Sequence, residues 1–207
     1  VGGLQFSGLK FLTAISHNVK YRTAEYLAAA AKINHEKALD AVFQLCNQAG
    51  FQISTIHSDN EFAPLMAALQ DRCKVNLNVA PAGDHVPEAE RNNRVIQERF
   101  RAAYHRLPFT KLPRAMIKVL AMESARKLNY FPAKDSVSAH CSPRMMLHQE
   151  NLDCNKHCRH PFGTHVQAHD DGHPKNNQKP RTLDAIYLRY CNNQQGGHKV
   201  LDLQAGQ

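Results

Sequence analysis

The chain has 207 residues, with 26 Lys and Arg against 18 Asp and Glu, 13 His besides, and a formal charge of +8. That length suits one domain, or one domain with a small appendage. No run approaches the roughly 20 apolar residues of a membrane span, so no membrane partner is expected, while the basic balance favours an anionic partner such as nucleic acid.

The start, Val1-Gly2-Gly3, carries no Met and no basic stretch ahead of an apolar core. It reads as a fragment cut from a longer polypeptide, without a signal peptide. The Cys residues (Cys46, Cys73, Cys141, Cys154, Cys158, Cys191) show no secreted disulfide framework. A reducing intracellular setting, nuclear or cytoplasmic, is expected.

Leu9 to Ile15, "LKFLTAI", reads as a buried strand. Val19 to Thr23 alternates and is expected to return as its hairpin partner across a His17-Asn18 turn. A third strand is expected before the first helix. Asn34 is placed to cap a helix over His35 to Ala49, with Ala38, Leu39, Val42, Phe43, Leu45 and Cys46 on its core face and Gly50 as its stop. Phe51 to Ile56 reads as a strand, Glu61 to Arg72 as a short helix and Val75 to Val79 as a half-buried strand. Val86 to Leu107 predicts a long helix, Pro108 interrupts, and Pro113 to Tyr130 predicts another, opened by Pro.

An antiparallel start that turns into strand-helix alternation is an α/β pattern with a mixed sheet. After Pro132 the composition changes. Asp135 to Pro180 is rich in His, Asn, Pro, Gly and Asp. Beyond it, Ala185 to Tyr190 and His198 to Leu203 are strand-like, and Gly163 to His169 completes a small β region.

The stretch "SDNEF" at 58–62 admits two readings. Ser58 and Glu61 fit a capping box ahead of an apolar-periodic helix, which needs no function. Alternatively Asp59 ends a strand and holds a metal, which requires a second carboxylate nearby. Glu90 is the candidate, early on the long helix. Val86, Ala89, Ile96, Phe100, Ala103 and Leu107 form that helix's apolar face, with Asn93 as its one polar break. Glu90, Arg94, Gln97, Arg101 and Tyr104 share an adjoining face. Acids early and bases late also suit the helix dipole, and Glu90 and Arg94 can pair. Carboxylates from separate elements converging on hard cations are what two-metal phosphoryl transfer needs.

From Val86 to Lys127 the chain holds ten bases against four acids, an excess of six. A solvated helix face is one account, and contact with a phosphate backbone is the other. The donors His140, Cys141, His148, Cys154, His157, Cys158 and His160 include a Cys-x3-Cys. They have no second pair at regular distance, so scattered residues in a polar loop compete with a structural zinc.

Taken together, "FLTAIS", "RTAEYL", "SDNEFAPL", "HVPEAERNNRVIQERFRA", "LPFTKLP", "LNYFPAKDSVS", "SPR", "NKHCRHPFGTHVQAH", "PRTLDAIYL" and "NNQQGGHKVLDL" resemble, in collinear order, the integrase of copia-type long-terminal-repeat retrotransposons, in the divergent branch of diatoms and other algae. The resemblance implies a ribonuclease H-like core over 1–132, an irregular linker over 133–160 and a small β subdomain over 161–207. It implies DNA integration: Mg2+-dependent joining of retrotransposon DNA 3′ ends to target DNA, with a possible homo-oligomer. The family's triad is Asp, Asp, Glu. Its second Asp falls on Asp59 and its Glu on Glu90, because "EAERNNR" matches the start of the family's catalytic helix. These two would be the catalytic acids and would hold the two-metal site. The first Asp falls near Gly2, where nothing acidic stands. Arg91, Arg94, Arg101, Lys111 and Arg114 would contact DNA. Two expectations follow: an integrase core impaired by the missing acid, or a non-catalytic nucleic-acid-binding remnant of the same fold.

Overall fold

The computed structural model describes residues 1–29, 32–63, 75–81, 84, 86–169, 181–191 and 196–205. Most of the helix expected over Glu61 to Arg72 lies outside these residues, as does Cys73.

Three antiparallel strands open the chain: β1 (Gly2–Phe6), β2 (Leu9–Ile15) and β3 (Arg22–Leu27), in that order across the sheet. The third strand of the start is thus β1, ahead of "LKFLTAI". Its Gly2, Leu4 and Phe6 alternate inward. Ser7 and Gly8 both take positive φ, the conformation a two-residue hairpin turn demands. The return strand begins later than expected. Ile15 pairs with Arg22, so residues 16–21 form the turn. Ser16 accounts for this: its N–H donates to Tyr21 O, its carbonyl accepts from Lys20 N, and its hydroxyl accepts from Tyr21 N. These bonds hold the loop open against a two-residue turn at His17-Asn18.

α1 (Lys32–Gln48) follows. Asn34 is not its cap: it lies inside the helix and its amide donates to Ala29 O at 3.0 Å. Gly50 does end it. With φ +78, it lets Phe51 N reach Cys46 O at 2.9 Å and Gly50 N reach Asn47 O at 3.0 Å, which satisfies two last-turn carbonyls. Residues 51–54 are irregular, and β4 is the shorter Thr55–Ser58. It pairs parallel with β5 (Asn76–Val79). Val1 N donates to His57 O at 2.6 Å, tying β4 to the start of β1.

α2 (Pro87–His105) and α3 (Arg114–Leu128) cover one face of β1 to β3. Phe6 stacks on Phe100 at 4.1 Å and meets Phe11 edge-on. The other face, with Leu12 and Leu27, packs on Ala38 and Leu39 of α1 and on Ile56 of β4. α4 (Pro143–His148) and α5 (Cys154–His157) are short helices in the polar stretch. β6 (His165–His169), β7 (Thr182–Tyr190) and β8 (His198–Asp202) form an antiparallel sheet, as the three strand-like runs imply. Its Ile186, Leu188 and Leu201 pack on Met116 of α3.

Glu25 of β3 is half-buried. Burial pushes its carboxyl up from the ordinary value, and Arg189 offsets part of that. The folded state therefore holds the Glu25 proton to higher pH than the unfolded chain does. Stability falls as pH rises through the window from about 4.5 upward, and the loss persists above it. Glu25→Gln is expected to raise the thermal midpoint by a few degrees at pH 7 and by nothing at pH 4, measured by circular dichroism.

Candidate active site

The start of α2 lacks a side-chain cap of its own. Its N-cap, Val86, is extended and has no capping group, and Pro87 follows at the first helical position. The need is met from β4: Val86 N donates to Asp59 Oδ1 at 3.2 Å. One turn on, Glu90 N donates to Val86 O at 3.1 Å. A single residue, Val86, therefore links both candidate acids. Asp59 holds its N–H, and Glu90 hangs from its carbonyl, with the Glu90 side chain exposed.

The capping box expected at 58–61 does not form. Ser58 is the last residue of β4 and is fully buried, at 0% exposure. Parallel pairing with Val79 and the Ala80 N–H bond to Ser58 O keep it in the strand. Its hydroxyl has no hydrogen-bond partner among the described residues. Asp59 instead precedes a 3-10 turn (Asn60–Phe62) and makes no side-chain cap there. Its carboxylate is spent on the distant helix.

Gly2 lies at the same place. A Cβ built on it stands 3.8 Å from Asp59 Oδ2, 3.4 Å from Ala89 Cβ and 3.3 Å from Asn93 Nδ2. The position that the family resemblance leaves without an acid thus faces Asp59 and the first turns of α2.

Asn93 is more than the polar break its place in the helix implies. Its Nδ2 donates to Gly3 O at 2.9 Å, and its Oδ1 lies 2.6 Å from Thr13 Oγ1. Thr13 Oγ1 is also 3.0 Å from Gly2 O, but a hydroxyl has one proton, and the shorter contact takes it. Its neighbour Asn92 is buried outright, with Ala89, Ile96 and Phe100. The signal in sequence was an amide inside an apolar stripe. Glu88 was not singled out. Its carboxylate meets Lys20 Nζ at 2.5 Å and His17 Nδ1 at 2.9 Å. Burial alone would push that carboxyl up, but the hydrogen bonds and charges of Lys20 and His17 outweigh it and hold it below the ordinary value.

Arg91, Arg94, Arg101, Lys111 and Arg114 are all exposed. Arg94 and Arg101 follow Glu90 at one and three turns along α2, on its side of the helix. Arg91, the next residue, is rotated away. Lys111 and Arg114 follow the C-terminal end of α2, whereas Glu90 sits in its first turn.

Cys154 and Cys158 lie within hydrogen-bond reach of each other, but the His residues of 140–160 point to different partners. His148 meets Tyr21, His157 meets Arg144, and His160 stacks near Tyr187 and His198. Among the described residues, no three His, Cys, Asp or Glu side chains gather as metal donors.

No family model matches the chain, and no curated protein matches it. A solved structure does: the catalytic core domain of BIV integrase, with a TM-score of 0.51 and 13% identity, over 71% of this chain and 90% of that one. The fold is similar to an integrase catalytic core. At that identity the likeness is one of fold, and it agrees with the mixed α/β arrangement of β1 to β5 with α1 to α3.

Because Asp59 caps α2, Asp59→Ala is expected to destabilise the chain by about 1 kcal/mol with no divalent metal present. Glu90→Ala, at an exposed position, is expected to change stability by less than about 0.5 kcal/mol. Urea unfolding in EDTA checks both.

Proposed function

We propose that the chain is the core fragment of a copia-type retrotransposon integrase. Its reaction class is metal-dependent phosphoryl transfer, joining a DNA 3′ end to target DNA. In this reading the core is ribonuclease H-like, its strands run β3-β2-β1-β4-β5, and the Val1–His57 hydrogen bond supports β1 beside β4. The observation that carries the proposal is the meeting of Gly2, Asp59 and the first turn of α2. In the family resemblance the second Asp and the Glu match Asp59 and Glu90, and the first Asp falls near Gly2, so residues scattered in sequence would share one site.

Asp59 and Glu90 suit a hard cation such as Mg2+, being carboxylates on separate rigid elements. Asp59 already gives one oxygen to Val86 N–H, and its other oxygen faces Gly2. The bound metals would activate the attacking hydroxyl and offset charge on the phosphate. The chain's own part is to place the DNA: Arg94 and Arg101, on the side of α2 that carries Glu90, would neutralise backbone phosphates without reading sequence.

The glycine at the third corner favours a second reading for this chain as it stands, a DNA-binding remnant that does not join DNA. Gly2→Asp separates the two. Gly2 has no left-handed φ, and the nearest atom to a new Cβ is the end of the Asn93 side chain, so a Cβ fits with a shift of a few tenths of an ångström. Strand transfer of a labelled DNA end in Mg2+ is expected to rise at least about a hundredfold in Gly2→Asp, and to vanish with EDTA. If Gly2→Asp neither joins DNA nor binds Mn2+ more tightly than the parent chain, the integrase reading fails and Asp59 is a cap for α2 alone.

A further inference from the structure

We propose that Lys20 and Glu88 form a clasp that positions the acid pair, holding the first turn of α2 so that Glu90 faces the site and Glu88 does not. The proposal rests on the two-acid reading above and adds residues to it that the family resemblance does not supply.

The first turn of α2 carries two acids, Glu88 and Glu90, and its N-cap has no side-chain cap. An uncapped helix end frays readily. Here it is held at two points. Asp59 takes Val86 N–H at 3.2 Å. Glu88 takes Lys20 Nζ at 2.5 Å, with His17 Nδ1 on its second oxygen at 2.9 Å. The Lys20 side chain is only 15% exposed, so this is not a solvated surface pair. His17, at 81% exposed, adds little of its own.

Lys20 also has an unfavourable backbone. Its φ is +59, where Gly and Asn are preferred, and it is kept there by the Ser16 bonds across the turn. A lysine tolerated at such a place, and turned inward to a carboxylate, is explained by the use of its charge. That charge does two things. It ties the β2–β3 turn to α2 one residue before Ala89, which touches the Gly2 position. It also neutralises Glu88, so that this acid neither repels Asp59 nor competes with Glu90 for a cation. Asp59 and Glu88 are close enough for both to act on the Val1 ammonium group.

Mn2+ binding to the chain, read by loss of the free-ion electron paramagnetic resonance signal, tests this against four variants. Asp59→Asn and Glu90→Gln are expected to weaken binding at least tenfold. Lys20→Met is expected to weaken it three- to tenfold and to speed amide exchange over residues 86–90. Lys20→Arg, which can still pair, is expected to stay within twofold of the parent. If Lys20→Met binds Mn2+ like the parent while Asp59→Asn does not, the clasp is overturned and the acid pair stands. If Lys20→Arg loses as much as Lys20→Met, the lysine acts through packing and the clasp is again overturned. If Asp59→Asn and Glu90→Gln both bind like the parent, the acid pair falls and the clasp with it.

Discussion

The amide of Asn93 decides where α2 lies, and the rest of the site depends on that. One side-chain amide spans from the helix to Gly3 O on β1 and to Thr13 on β2. These partners are 90 and 80 residues away in sequence. Apolar packing of Ile96 and Phe100 attracts the helix to the sheet, but such contact is non-directional and tolerates sliding. The paired hydrogen bonds do not, because a shift of one residue along the helix would leave a half-buried amide and a buried hydroxyl unpaired. With α2 fixed in register, its first turn arrives beside the end of β4, and the Asp59 bond to Val86 becomes possible.

Much of this scaffold was legible in the sequence, and the reason is local. The three-four spacing of α2, the glycine stop of α1 and the short strand-like runs of the C-terminal region each depend on neighbours within a few residues. What was illegible depends on distant partners. "SDNEF" has the letters of a capping box, but the parallel ladder with β5 claims Ser58, and a helix some 27 residues on claims Asp59. The β2–β3 turn looks like a two-residue hairpin until the Ser16 side chain enters it. Helical spacing puts Asn93, not Asn92, inside the apolar stripe, but only geometry shows that its amide bridges to Gly3 and Thr13.

The polar stretch after Pro132 had no periodicity to read, yet some of its members are buried. Arg144 is 4% exposed, and its guanidinium donates to His157 Nε2 at 3.0 Å and to Glu150 at 3.2 Å. His157 Nδ1 is 2.8 Å from Asp153 O, an atom that can only accept. The ring must therefore carry its proton on Nδ1 and accept from Arg144 on Nε2, which fixes its tautomer. The ring then lies edge-on between Tyr130 and Tyr190. On the other side, Arg144 N donates to Asn129 O, and the Asn129 amide exchanges two 2.8 Å bonds with the backbone of Arg22. A continuous hydrogen-bonded path thus runs from β3 to α5, and the His157 ring contact carries it on to β7, through side chains that are individually unremarkable in sequence.

These two networks share a property that bears on the proposed function. Neither uses Asp59, Glu90 or the Gly2 position as a partner that must be charged. Asn93 binds β1 through a backbone carbonyl, which any residue supplies, and it approaches closely enough that a Cβ at position 2 would press on its Nδ2. A glycine there relaxes that contact. None of these bonds needs an acid at position 2, so in the proposed reading a glycine there would cost a metal ligand and no structural bond. In that reading a chain of this fold would lose its chemistry at one residue and keep its shape, whereas losing Asn93 would unlock the helix that carries Glu90.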